Sequence, residues 1–182
     1  MKTTHFFARH LVTLVGACSA TLALTLVGPI CAQEPKPATP ERIGVYDSRA
    51  IAVAYAGSSA QVNQMKDMRE QMKKAREQGN TNKISQLERE GQLWQSKLNR
   101  QGFGTAPVDD LLEHIADHLP AIQEAAGVTT IISKWNKAEL NRHPDAVRID
   151  VTMQLVKAFQ PSATQWKHAT AIQKTKPQKI ND

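Results

Sequence analysis

Two long amphipathic stretches flank the tetrapeptide Gly79-Asn80-Thr81-Asn82, and they constrain the fold more than any other feature. From Arg49 to about Gln78 only Gly57 interrupts helix-forming residues. Within that run Val62, Met65, Met68, Met72 and Ala75 form a narrow apolar stripe, while most other positions are charged or amide. The second stretch runs to about Arg100. Its Ile84, Leu87, Gly91, Trp94 and Leu98 recur at intervals of three and four, a heptad seam. Glycine and asparagine between the two mark a stop and a restart. The pattern predicts an antiparallel helical hairpin, an arm over about residues 58–101. Each helix would project ~28–45 Å at 1.5 Å per residue.

The N-terminus has a different character. Residues 1–10 carry Lys2 and Arg9 and no acid, and residues 11–30 carry no charge. Ile30-Cys31-Ala32 then offers small residues before Gln33. A basic start, an apolar run and a small-residue exit describe a secretory signal peptide, residues 1–32, cleaved near Ala32 to release the chain to the periplasm. Two alternatives stay open. An uncharged run of this length can span a bilayer as an uncleaved anchor. Val15-Gly16-Ala17-Cys18 also resembles a lipoprotein signal, with lipid on Cys18. Cleavage would remove both cysteines, excluding a disulfide scaffold, a cysteine–zinc site and a cysteine nucleophile. It would leave a mildly basic chain, large enough for one domain.

Residues 33–41 hold three prolines and read as an extended linker. A domain over 42–160 follows. Ile43 and Val45 alternate as in a short strand, and Asp47 or Ser48 suits a helix N-cap. Residues 101–107 break the returning limb. Pro107 then opens a helix with Leu111, Leu112, Ile115, Leu119, Ile122 and Ala126 on its apolar face. Pro120 should kink it and Gly127 should stop it. Residues 128–133 are the strongest strand, and a weaker one is expected near 138–140. Residues 147–152 fit either a strand or the cap of a helix that holds Val151, Leu155, Val156 and Phe159. The tail, 161–182, reads as basic and disordered.

Residues 61–101 carry nine lysines and arginines against five acids. Met65, Met68 and Met72 supply adaptable apolar contact, and Lys66, Arg69, Lys73, Lys74 and Arg76 a positive field, a combination suited to a loose hold on an unfolded acidic polypeptide. A solvated hairpin with its methionines packed on the partner limb is the competing reading. His114 and His118 are spaced to share a metal, but no third ligand is evident, and an exposed pair is the commoner arrangement. No Gly-x-Ser-x-Gly elbow and no phosphate loop occurs. No catalytic residues, cofactor, metal or nucleic-acid partner are therefore expected.

The order of leader, short strand, long helix, polar tip, long helix, strand pair and final helix resembles the OmpH/Skp family of periplasmic chaperones. Three segments carry the resemblance: Arg42-Ile43-Gly44-Val45-Tyr46-Asp47-Ser48-Arg49, Ala126-Gly127-Val128-Thr129-Thr130-Ile131-Ile132-Ser133, and Asp150-Val151-Thr152 with Leu155-Val156. The resemblance implies an α+β subunit: a small antiparallel-type sheet body, a protruding hairpin and trimeric assembly. Its implied function is ATP-independent holding of unfolded outer-membrane proteins. Independently of the resemblance, a chain with a protruding hairpin has few residues left for its own core, so Ile43, Val45, Ile131, Val156 and Phe159 need more apolar cover than one thin sheet provides and are expected to form an oligomer core. The alternative function is a non-enzymatic adaptor of the cell envelope, with the hairpin as a coiled-coil contact.

Overall fold

A computed structural model describes residues 39–180. The leader, its cleavage near Ala32 and Cys18 lie outside the described residues. Within them, each of three short strands leads into a helix. Strand β1 (Arg42–Tyr46) enters α1 (Ser48–Tyr55), and α2 (Ser59–Glu77) and α3 (Thr81–Phe103) follow. Next come α4 (Asp109–Leu112), a 3-10 segment (Glu113–His118) and α5 (Leu119–Ala126). Then β2 (Thr130–Ser133) leads to α6 (Lys137–Leu140), β3 (Val147–Asp150) to α7 (Thr152–Ala158), and α8 (Ala163–Ile172) closes the series. No helix among the described residues is long and apolar enough to cross a membrane.

The sheet runs β2-β1-β3, and both pairings are parallel. The antiparallel-type body expected from the sequence is therefore incorrect. The physical reason is the helical material between successive strands. A chain that crosses over through helices re-enters the sheet in its original direction, whereas an antiparallel neighbour is reached by a tight turn. The weaker strand expected near 138–140 is α6, begun by the Asn136 side chain, which accepts from Glu139 N. The ambiguous stretch resolves into β3 and then α7, with Asp150 accepting from Thr152 N at 2.9 Å.

Both faces of the sheet are covered, as parallel sheets require. One face carries the main core: Tyr46, then Ala50, Ile51, Ala54 and Tyr55 of α1, with Leu111, Ile115, Leu155, Val156 and Phe159. The other carries Ile43, Ile132 and Leu140 with Val45 and Ala146. Gly44 lets β1 sit at the centre. A Cβ there would lie 3.1 Å from Val151 Cγ2 and 3.3 Å from Ile131 Cγ1, so those side chains would have to give by a few tenths of an ångström.

Several boundaries differ from the sequence reading. Gly57, at φ +83°, fully separates α1 from α2, with Ser58 capping the new helix. The helix expected from Pro107 begins at Asp109 and breaks at Ile115, where φ is −124°, so Pro120 sits in the first turn of α5 rather than at a mid-helix kink. Gly127 ends α5 in the left-handed conformation as expected, and Arg42 donates to the carbonyls of Gly127 and Ala126 there. The tail expected to be disordered contains α8, which packs against α1. Ser162 and Gln165 form a capping box at its start, and Gln165 also donates to Ala56 O.

Candidate functional site

Helices α2 and α3 lie against each other across a short turn. Gly79 adopts φ +62° there, and Asn80 accepts from Lys83 N at 3.0 Å to start α3. Ala75 and Leu87 are buried, and Met65, Met68 and Met72 are half-buried. Met68 Sδ lies 3.7 Å from the point a Cβ of Gly91 would occupy, so the thioether fills space that the missing side chain leaves. The methionine stripe therefore belongs in part to the contact between the helices.

Lys66, Arg69, Lys73, Lys74 and Arg76 are all exposed on α2. Lys66, Arg69, Lys73 and Arg76 follow one another at three, four and three residues, which places them in one row along the helix. Lys73 reaches Glu77 at 3.8 Å, with both side chains well exposed, a pairing that contributes little to stability. All eight residues singled out for client contact thus lie on one helix, the cations in solvent and the methionines toward the seam.

The five residues expected to close an oligomer are already covered within one chain. Ile43 and Val156 are fully buried and Phe159 nearly so, while Val45 and Ile131 are half-buried. They also divide between the two faces of the sheet rather than forming one patch. The shortage of apolar cover that the sequence suggested is met by α1, α7 and the 108–115 region. His114 and His118 lie in the 3-10 segment, where residues four apart do not share a face. His114 instead stacks on Tyr55, ring centroids 5.1 Å apart. Among the described residues no group of three or more His, Cys, Asp and Glu gathers around a common point.

A second constellation, at the carboxyl ends of β1 and β2, shows in the sequence only through Asp47 as a candidate helix cap. Asp47 caps α1 and is buried, as is Arg49. Asp47 Oδ2 accepts from Arg49 Nη2 at 2.8 Å and lies 2.7 Å from Lys134 Nζ. Oδ1 accepts from Arg49 N and Nε at 3.1 Å each, and from Trp135 Nε1 at 3.2 Å. Arg49 Cζ and Lys134 Nζ stand 5.1 and 4.8 Å from the Trp135 ring centroid. Burial alone would raise the Asp47 carboxyl. The hydrogen bonds from Arg49, Lys134 and Trp135, with the Lys134 charge, outweigh it and hold the group below its ordinary value.

Asp47 N donates to Thr152 Oγ1 at 3.0 Å, and Arg49 Nη1 to Thr175 O at 3.0 Å. One ionic knot therefore joins the end of β1, the end of β2, the start of α7 and the C-terminal segment. Five donors meet two carboxylate oxygens, which occupies the lone pairs a general base would need. The readable signal was polar residues directly after two strands, the position where parallel sheets gather functional groups. No family model, curated protein or solved structure matches this chain.

Proposed function

We propose that this protein is a non-enzymatic, ATP-independent holdase that retains unfolded acidic polypeptides of the cell envelope, acting in the periplasm. The observation that carries the reading is the exposed cationic row of α2. Four cations along one helix, with Lys74 beside them and Val62 exposed near the same helix start, present charge and apolar surface together. The helix order resembling the OmpH/Skp chaperones and the leader-like residues 1–32 support it. The all-parallel sheet and the covered core residues depart from the body that this resemblance implies, so the proposal rests on α2 and requires no enclosed cavity.

Charge steering acts mainly on association rate and weakens with salt. Replacing Lys66, Arg69, Lys73, Lys74 and Arg76 together by Gln should slow capture of an unfolded acidic client and flatten its salt dependence. Helix content should be unchanged, because exposed helix charges contribute only a few tenths of a kcal/mol each. Stopped-flow fluorescence at two salt concentrations checks this, and unchanged capture rates would remove α2 as the binding surface.

An adaptor is the second reading, favoured by the half-buried methionines. A stripe already engaged with α3 has less freedom to mould itself to varied clients. Suppressed aggregation of several unrelated unfolded proteins supports the holdase. A single retained partner with aggregation unchanged supports the adaptor.

A further inference from the structure

A cavity of about 490 Å³ runs along the outer edge of β2. Thr130, Ile131, Ile132 and Ser133 all line it. Successive side chains of a strand point to opposite faces, so four in a row share one space only beside the strand edge. β2 is terminal in the sheet, and in a parallel pair only alternate residues bond to the neighbour. The other backbone groups of β2 therefore face the cavity without a strand partner among the described residues. At 3.3 Å per residue the open edge is ~13 Å long, which matches an extended peptide rather than a single amine.

The charge of the walls selects among peptides. Asp109 and Glu139 are the charged residues that line the cavity, and no lysine or arginine does. Asp109 has no ion pair among the described residues; burial, and secondly the nearby Asp109 charge, push the Tyr46 phenol upward. Glu139 holds Arg142 at 2.6 Å yet remains about one-third exposed. Lys134, which adjoins Ser133 and Trp135, is paired with Asp47. Tyr46 and Trp135 also line the cavity, but Tyr46 is buried and the Trp135 ring already faces Arg49 and Lys134, so the two carboxylates carry the charge preference.

We propose that this edge groove binds an extended polypeptide segment bearing lysine or arginine, which adds to β2 as a fourth strand and directs its basic side chains toward Asp109 and Glu139. The site lies apart from α2 and has the opposite charge preference, so it stands or falls independently of the holdase reading. Main-chain bonds to the strand would give affinity, and the two carboxylates would give selectivity.

Fluorescence anisotropy on the full chain tests this with a labelled peptide of alternating lysine and valine. Its comparators are the glutamate–valine counterpart, a version N-methylated at alternate amides, and spermidine as competitor. The expected result is binding of the lysine peptide alone, with hydrogen exchange slowed in residues 130–133. The double variant Asp109→Asn with Glu139→Gln should weaken it about tenfold, since both side chains are exposed enough to be screened. Circular dichroism on that variant separates lost binding from lost fold, and the N-methylated peptide tests the same contact without altering the protein. Equal binding of the N-methylated or the glutamate peptide, competition by spermidine at similar concentration, or no binding at all would overturn the proposal.

Discussion

Asp47 shows how one buried charge can organise a chain end to end. Its carboxylate is held below its ordinary value, so it stabilises the fold above the unfolded-state value of ~3.9. That contribution is lost as pH falls through the lower folded value. The difference in unfolding free energy between wild type and Asp47→Asn should therefore be largest near neutral pH and shrink below about pH 4. Urea titrations at pH 7 and pH 3 check this. At neutral pH the loss should approach ~3 kcal/mol, because Arg49 would be left buried without its counter-charge. A gap that stays constant across the two pH values would mean that the knot is not ionised in the way the geometry requires.

At the scale of elements, α8 is the addition least visible beforehand. Its Ser162–Gln165 box closes both ends of a reciprocal pair, and its buried Ala169 meets α1. Ser162→Ala should cost ~1 kcal/mol and raise hydrogen exchange in residues 163–172 more than in α3. Mass spectrometry of exchanged peptides measures it. The lysines of the tail suggested disorder because one small buried alanine has almost no periodic signal. By contrast α2, α3 and the turn between them were legible, since a three-four repeat and a glycine at positive φ are local properties. Sheet direction was not. Which strands pair depends on residues far apart in sequence, and nothing in Val128-Thr129-Thr130 records that Arg42 and Ile43 lie beside it. The Asp47 knot was half legible: Asp47 stood beside Ser48 as a candidate cap, but its partners Lys134 and Trp135 arrive with β2.

For the molecule as a whole, the main core on one face of the sheet joins strands and helices within a single chain. Val156 is fully buried there, so Val156→Asp should abolish cooperative thermal unfolding rather than merely alter assembly. Circular dichroism decides it, and a cooperative melt in the variant would show that this core can be opened without loss of the fold. The central position of β1 has a further consequence. It is the first strand made among the described residues, yet Ile43 pairs with Thr130, and Arg42 with Val147. While the ribosome is still extending α3 or α5, β1 has no neighbour on either side. The sheet cannot begin until most of the message has been read, and a product that stops before β3 would carry its central strand with one edge open to any chain it meets.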